Sequence, residues 1–377
     1  MKSLCLFQWW SQTATVWFGD VRITATPAPA AFDAQASIAA SHAPPADFRD
    51  QPGSFRSPLM RDDGTRVADA SQWPARRAEI LGFWHGEMGA WPALIDAPRV
   101  DLVSEEQRDG YALRTVRVQV AAERTLTAYL LVPSGTTGRR PAVLTVYYDA
   151  ETGAGMKPPS RSTYALDLAK RGFVTLSIGV QPWTVDDHAF YPDGIQPLSY
   201  LAYVAANCCN ALAAMPEVDP ARIGVTGHSY GGKWAMFASC LYERFACAAW
   251  SDGGIVFDEE RGNVNYWEPW YLGWQPGTQR ARGEMTDPAT RTGAYARMIA
   301  AKHDLHELHA LMAPRPFLVS GGSEDPPSRW IALNHARAVN ALLGVSDRVA
   351  MTNRPEHGHT DESKAQLVEF FVRELKP

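Results

Sequence analysis

The chain has 377 residues, of which 46% are hydrophobic and 20% charged, and its formal net charge is −5. These values fit one large or two ordinary globular domains and exclude a disordered or collagen-like chain. Charges of both signs are interspersed and no apolar run reaches the ~18 residues of a membrane span, so we expect neither a nucleic-acid nor a membrane partner. A small neutral or mildly charged substrate fits better, and the oligomeric state stays open.

Residues 1–70 are predicted to form a partly irregular N-terminal arm. The segment is rich in Ala, Pro, Ser and Asp and lacks sustained helical or strand periodicity. Lys2 and the stretch LCLFQWW share features with a signal peptide, but the apolar stretch is short and contains Gln8. The sequence therefore leaves the compartment open between cytoplasmic and exported.

Residues 71–377 are predicted to form one α/β domain with a mostly parallel central sheet flanked by helices. A helix begins near residue 72, and an alternating antiparallel pair follows at the outer edge of the sheet. Buried-type strands then alternate with helices. The predicted edge pair covers 113–120 and 124–133, the buried strands 141–148, 173–179, 222–227, 247–250, 315–321 and 348–353, and the helices 163–171, 197–214, 231–241, 328–343 and 361–375.

Residues at about 252–310 are predicted to form an insertion over the carboxyl edge of the sheet, because this interval is too long for a simple crossover. It contains the aromatic-rich stretch NVNYWEPWYLGWQPG. Trp267 and Trp270 are candidate substrate-binding residues, since aromatic faces suit sugar rings and aryl esters. The alternative is that these rings form a small core of the insertion itself.

Ser229 is the candidate nucleophile. It is the central residue of a G-x-S-x-G motif, Gly227 to Gly231, that follows a buried strand and precedes a helix. A sharp strand-to-helix turn needs glycine beside the serine, because larger side chains would collide with the neighbouring backbone. The turn lifts the hydroxyl above the sheet and directs the helix N-terminus at a developing oxyanion.

A serine nucleophile needs a base that is held by an acid, in the chain order Ser, Asp or Glu, His. Asp325, in the loop after the strand RPFLVSG, is the preferred acid, and its neighbour Glu324 is the alternative. Asp252, after the preceding strand, is expected to shape a turn. His357, in the loop before the last helix, is the preferred base. His359 is the alternative base, while His228 beside the nucleophile is interpreted as structural.

The oxyanion hole is predicted to use the backbone N–H of Tyr230 and a second donor at Tyr148 or Asp149, in the loop after the strand PAVLTVYY. The histidines of the stretch HDLHELH are interpreted as packing or capping residues of a helix rather than metal ligands, because no cysteine or tight carboxylate pattern accompanies them. We therefore expect no metal and no cofactor.

The segments GHSYGGKWAMFAS and HALMAPRPFLVSGGSEDP and the terminal histidine loop resemble the dienelactone hydrolase and acetyl xylan esterase group of the α/β-hydrolase superfamily, over about residues 110–377. The stretch HDLHELHALMAPRPFLV and Lys233, four residues after Ser229, are also similar to glucuronoyl esterases, which typically carry Arg where this chain has Tyr230. The resemblance implies an α/β-hydrolase fold, ester hydrolysis and a substrate-binding role for Lys233.

The expected function is that of a serine carboxylic ester hydrolase that acts by two-step acyl transfer on short-acyl or carbohydrate-linked esters. One alternative is a serine peptidase of the prolyl oligopeptidase type, although no propeller-sized domain precedes the catalytic region. Another is a binding protein that keeps the α/β-hydrolase fold without turnover.

Overall fold

A computed structural model describes residues 32–135, 138–157, 162–180, 190–261, 272–273 and 287–376. The chain divides into two compact units, Met1–Phe32 and Asp33–Pro377. All the elements below belong to the second unit. The predicted substrate-binding residues Trp267 and Trp270 lie outside the described residues.

A nine-stranded sheet forms the centre of the second unit, in the strand order β1-β2-β3-β5-β4-β6-β7-β8-β9. Strands β1, β2 and β3 are antiparallel, and β3 also pairs antiparallel with β5. All further pairs are parallel. The bounds are β1 Val100–Arg108, β2 Tyr111–Ala121, β3 Arg124–Pro133, β4 Arg140–Tyr147, β5 Val174–Gly179, β6 Val218–His228, β7 Cys247–Ser251, β8 Phe317–Gly321 and β9 Val349–Asn353.

Helices lie on the sheet and at its ends, and within the described ranges none is long and apolar enough to cross a membrane. The longer ones agree with the predicted helices to within about two residues at most ends. The bounds are α1 Ala34–Ala40, α2 Trp73–Met88, α3 Ala150–Gly153, α4 Tyr164–Lys170, α5 Pro197–Ala213, α6 Tyr230–Leu241, α7 Gly293–Ala300, α8 His306–Ala310, α9 Trp330–Leu342 and α10 Asp361–Leu375. The predicted α/β-hydrolase fold with a mostly parallel sheet is therefore confirmed.

Strand β1 is an element that the sequence-based prediction missed, so the pair β2 and β3 lies inside the sheet rather than at its outer edge. Its residues VDLVSEEQR are exposed after the first one, and no apolar alternation marks them as a strand. The signal was the dipeptide Asp109-Gly110, which connects β1 to β2 as a two-residue turn. A bulge between Leu102 and Ser104, together with acidic side chains, interrupts the exposed edge.

The segment from Asp33 to α2 packs on the helices of the same unit. In α1 the side chain of Ile38 is buried in a cluster with residues of α10. The backbone oxygen of Ser41 accepts a hydrogen bond of 2.9 Å from the N–H of Met351, on the outer strand β9. Asn334 in α9 donates from its side-chain amide to the carbonyl oxygens of Phe48 and Gln51. These contacts involve the described part of the predicted N-terminal arm, which is mainly turns and irregular backbone between α1 and residue 69.

Buried histidines make the stability of this fold sensitive to acid. Burial lowers the pKa of six imidazoles in the described ranges, and lowers the pKa of His306 to about 4. An unfolded chain would protonate them near their ordinary pKa of ~6.5, so the unfolded state binds more protons as the pH falls below that value. The six are His42, His85, His228, His306, His309 and His335.

We therefore expect the free energy of unfolding to be greatest above about pH 6.5 and to fall as the pH is lowered towards 4. Urea unfolding at intervals of half a pH unit between pH 7.5 and 4.5 measures how steeply the free energy of unfolding changes with pH. A His306→Gln variant should show a shallower slope over this range, because it removes one group that takes up a proton on unfolding. A wild-type free energy that does not change between pH 7 and 5 would contradict this prediction.

Candidate active site

The turn between β6 and α6 presents Ser229 above the carboxyl edge of the sheet. Ser229 has a φ of 58° and a ψ of −120°, a conformation that residues other than glycine rarely adopt. A Cβ atom on Gly227 or Gly231 would collide with the carbonyl oxygen of Val146 in β4. The motif glycines therefore let the turn lie against the end of the neighbouring strand, as the sequence predicted.

His357 lies in the loop between β9 and α10 and contacts both neighbours that a general base requires. Its Nε2 is 2.8 Å from the Oγ of Ser229, and its Nδ1 is 2.7 Å from the Oδ2 of Asp252. With the proton on Nδ1, the ring donates to the carboxylate and accepts from the serine hydroxyl. The three residues thus form one continuous series of hydrogen bonds, in the order that a serine, histidine and acid triad requires.

The carboxylate that contacts His357 is that of Asp252, whereas the sequence had predicted Asp325. Asp252 follows β7 directly, has a φ of 48° and is fully buried. Its Oδ1 accepts hydrogen bonds from the backbone N–H of Gly322 at 2.6 Å and of Asp325 at 2.9 Å. The carboxylate thus binds the loop after β8 with one oxygen and His357 with the other.

The carboxylate of Asp325 has other partners than His357. Its two carboxylate oxygens accept hydrogen bonds from the N–H groups of Gly254 and Ile255, at 2.9 and 2.7 Å. Burial, and then the nearby Asp252, raise the pKa of the Asp325 carboxyl. The alternative acid, Glu324, forms an ion pair with Arg261 instead. The sequence favoured the loop after β8, whereas β7 is adjacent to β6 in the sheet and its carboxylate contacts the histidine that contacts the serine.

His228 and His359 pack together beside His357. The ring of His228 lies with its centroid 4.7 Å from that of His357 and 3.9 Å from that of His359. Burial, followed by the other two imidazoles and Arg354, lowers the pKa of His228 well below its ordinary value. His359 contacts the hydroxyl of Tyr164 at 3.0 Å. The alternative base is therefore a buried packing residue, whereas His357 contacts the serine.

Arg354 is a residue of the site that sequence reasoning missed. Its buried guanidinium donates to the carbonyl oxygens of Ser320 and Gly321 at the end of β8. It also donates to the carbonyl oxygens of His357 and Gly358, at 2.8 and 2.7 Å. Arg354 thus ties the histidine loop to the sheet. Its position one residue after β9 was the available signal, because an arginine directly after a buried strand needs acceptors nearby.

The residues predicted for the oxyanion hole lie around the same turn. Tyr230 is the first residue of α6, so its N–H lies at the N-terminus of that helix. The hydroxyl of Tyr148 is 3.4 Å from the Oγ of Ser229. The Oδ1 of Asp149 accepts a hydrogen bond from the N–H of Thr152, so this side chain caps α3. Tyr148 is thus the one of the two loop residues whose side chain contacts the nucleophile.

A cavity of about 210 Å³ opens beside Ser229 and His357. Its other described lining residues are Tyr230, Asp252, Gly253, Arg261 and Glu324. Lys233, the predicted substrate-binding lysine, is not among these lining residues: it is only 3% exposed, and its Nζ donates to the carbonyl oxygen of Gly254. The described lining thus includes one guanidinium group and two carboxyl groups, those of Asp252 and Glu324.

The histidines of the HDLHELH stretch contact separate partners. The Nδ1 of His303 is 2.6 Å from an oxygen of Glu307, and the Nε2 of His306 is 2.5 Å from the carbonyl oxygen of Arg56. His309 packs beside Trp250, with 5.3 Å between the ring centroids. Within the part of the chain that the structure describes, no group of three His, Cys, Asp or Glu side chains could hold a metal ion.

Sequence comparisons relate the chain to glucuronoyl esterases. The family model described as glucuronyl esterase of fungi matches residues 198–344, a range that contains Ser229 and Asp252. The 4-O-methyl-glucuronoyl methylesterase 1 of Wolfiporia cocos is 26% identical over 354 residues, which cover 84% of this chain and 80% of that protein. The 4-O-methyl-glucuronoyl methylesterase of Neurospora crassa is 23% identical, with 92% and 86% covered.

Solved structures show the same fold. A glucuronoyl esterase from Solibacter usitatus superposes with a TM-score of 0.66 at 18% identity, covering 86% of this chain and 99% of that one. A proposed acetyl xylan esterase from Bacteroides fragilis gives a TM-score of 0.55 at 17% identity, with 88% of each chain covered. Glucuronoyl esterases and an acetyl xylan esterase, which the sequence resemblance named, are thus among the similar proteins. The chain is a carboxylic ester hydrolase of the α/β-hydrolase fold that resembles the glucuronoyl esterases.

Proposed function

We propose that this chain hydrolyses alkyl esters of a hexuronic acid, with Ser229 as nucleophile, His357 as general base and Asp252 as the acid that holds the base. The observation that carries the proposal is the continuous chain of contacts from Ser229 Oγ through both ring nitrogens of His357 to Asp252. The names of the relatives supply the substrate class, because they act on 4-O-methyl-glucuronoyl methyl esters.

The first half of the reaction forms an acyl-enzyme. His357 Nε2 takes the hydroxyl proton of Ser229 as Oγ attacks the ester carbonyl, and the imidazolium that results is stabilised by the carboxylate of Asp252. The tetrahedral intermediate then expels the alcohol, which takes the proton from His357. The uronic acid carbonyl is left esterified to Ser229.

In the second half of the reaction, water hydrolyses the acyl-enzyme. It attacks the acyl carbonyl as its proton passes to His357, and Ser229 Oγ leaves with that proton restored, which releases the free uronic acid. In both halves the carbonyl oxygen gains negative charge. The N–H of Tyr230 at the start of α6 is a suitable donor to that charge, and the Tyr148 hydroxyl beside Ser229 is a second one.

Replacement of the nucleophile tests the proposal directly. In Ser229→Ala we expect kcat on methyl glucuronate to fall by on the order of 10⁵-fold or more, because no other group can form the acyl-enzyme. Release of methanol is the measurement, and a fluorophosphonate probe should label the wild type only. Ser71→Ala, at an exposed serine before α2, serves as the control and should retain full activity. Substantial turnover by Ser229→Ala would exclude this mechanism.

The two carboxylates can be distinguished by matched amide variants. Asp252→Asn should lower kcat by about 10⁴-fold, because the amide neither fixes the tautomer of His357 nor stabilises the imidazolium. Asp325→Asn leaves the contact between His357 and Asp252 in place, so we expect less than about a tenfold loss of kcat. It should instead lower the melting temperature, since the amide NH₂ would face the N–H donors of Gly254 or Ile255. The opposite ranking of the two kcat values would restore Asp325 as the acid.

The contact between the rings of His228 and His357 predicts that His228 helps to position the base. Replacement by Leu removes the flat ring that packs on His357, whereas His228→Phe keeps a ring of similar shape. We expect kcat to fall by about tenfold or more in the leucine variant and by less in the phenylalanine variant, with KM nearly unchanged, because small misplacements of a catalytic group are costly. Equal kcat values in all three proteins would show that this contact does not orient the base.

A further inference from the structure

Arg261 and Glu324 form an ion pair in the wall of the candidate active site. Their Nη1 and Oε2 atoms are 3.0 Å apart, and the side chains are 9% and 24% exposed. Both residues line the same cavity as Ser229 and His357. None of the catalytic steps above uses either charge, so the chain places a cation and an anion beside the nucleophile for which the reaction itself has no role.

The loop after β8 fixes Glu324 relative to the proposed triad. The backbone N–H of Glu324 lies 3.2 Å from the Oδ1 of Asp252, the carboxylate that holds His357. Arg329 donates to the carbonyl oxygen of Glu324 at 3.1 Å and to the Oδ2 of Asp258 at 2.7 Å. The carboxylate of Glu324 is therefore presented from a braced backbone rather than from a freely moving loop.

Arg261 is held from the other side. Its N–H donates to the carbonyl oxygen of Asp258, and its guanidinium lies where a Cβ atom on Gly254 would be. Gly254 has a φ of +73°, a conformation suited to glycine, and its own N–H is bound by Asp325. Any larger residue at Gly254 would displace the guanidinium from the cavity wall.

A guanidinium beside a carboxylate matches the chemistry of a sugar ring. Each ring hydroxyl both accepts and donates a hydrogen bond; the arginine supplies donors only and the carboxylate acceptors only. Hydrogen bonds to charged groups are also stronger than those between neutral groups. An alkyl or aryl acyl group offers neither function, and its binding would remove water from both charged groups without any new hydrogen bond in return.

We propose that Arg261 and Glu324 bind the ring hydroxyls of the acyl part of the substrate and thereby select hydroxylated ring acids over apolar ones. The inference rests on the proposed function. It adds that this wall of the cavity contacts the acyl part of the ester. Arg261 and Glu324 are specificity-determining residues in this scheme, while Ser229, His357 and Asp252 carry out the reaction.

Two methyl esters with rings of the same size test the proposal. Methyl glucuronate carries ring hydroxyls, and methyl cyclohexanecarboxylate does not. The quantity to measure is the ratio of their kcat/KM values. In Arg261→Met we expect this ratio to fall about 10- to 100-fold, the effect of losing a hydrogen bond to a charged group. Glu324→Gln should lower it in the same direction, and Arg261→Lys should lower it less than Arg261→Met.

The cyclohexane ester reports on the integrity of each variant. In Arg261→Met, neither the kcat/KM of this ester nor the rate at which a fluorophosphonate labels Ser229 should fall, because neither compound presents a ring hydroxyl to the guanidinium. A parallel fall on both esters would mean that the pair only braces the triad, and an unchanged ratio would mean that it does not contact the hydroxyls. Either result overturns the proposal. Arg171→Met, which breaks a surface pair with Glu369, is the matched control.

Failure of the proposed function gives a different result from failure of this inference. A wild type that cleaves the cyclohexane ester but not methyl glucuronate is not a uronic acid esterase. This result would overturn both the proposed function and the role of Arg261 and Glu324. A wild type that prefers methyl glucuronate, together with an Arg261→Met variant that keeps this preference, overturns only the role of Arg261 and Glu324.

Discussion

The rest of the site depends on the hydrogen bonds that the carboxylate of Asp252 accepts. This residue lies at the end of β7, fully buried, with a backbone φ of 48°. One oxygen accepts N–H groups from the loop after β8, and the other contacts His357 from the loop after β9. Because β6 to β9 are parallel neighbours, their carboxyl ends meet at one edge, and a single buried anion there can organise three loops. A buried carboxylate is tolerated when each oxygen accepts hydrogen bonds in this way.

A second set of contacts keeps this arrangement in place. Arg354 joins the end of β8 to the histidine loop through backbone carbonyl oxygens, and His228 supports the ring of His357 from the side. Asp325, although it does not contact His357, accepts the N–H groups of Gly254 and Ile255 and so shapes the segment that leads to Arg261. Burial lowers the pKa of His228, so this ring is neutral at physiological pH and does not place a second positive charge beside the imidazolium that forms during the reaction.

The similarity to glucuronoyl esterases and the geometry of the site support different parts of the functional argument. The structural likeness, at 18% identity to the Solibacter usitatus enzyme, establishes the fold. The names of the sequence relatives suggest the class of ester. The cavity beside Ser229, with the charged side chains of Arg261 and Glu324 in its wall, is a property of this chain itself. Tyr230 stands where the glucuronoyl enzymes that the sequence resembles typically have Arg, and among the described lining residues the positive charge belongs to Arg261.

The sequence by itself determined the order of the elements, the turn that presents Ser229 and the loop that holds His357, because these depend on local periodicity and on residues that are close in the chain. It missed β1, whose exposed residues lack an apolar pattern, although Asp109-Gly110 marked its turn. Only the tertiary structure decided between Asp252 and Asp325. Both follow buried parallel strands, but the strand order brings β7 next to β6, and the backbone N–H groups of Gly254 and Ile255 occupy Asp325. Which carboxylate contacts His357 depends on strand adjacency and on competing hydrogen bonds, and neither can be read from residues that are close in the chain.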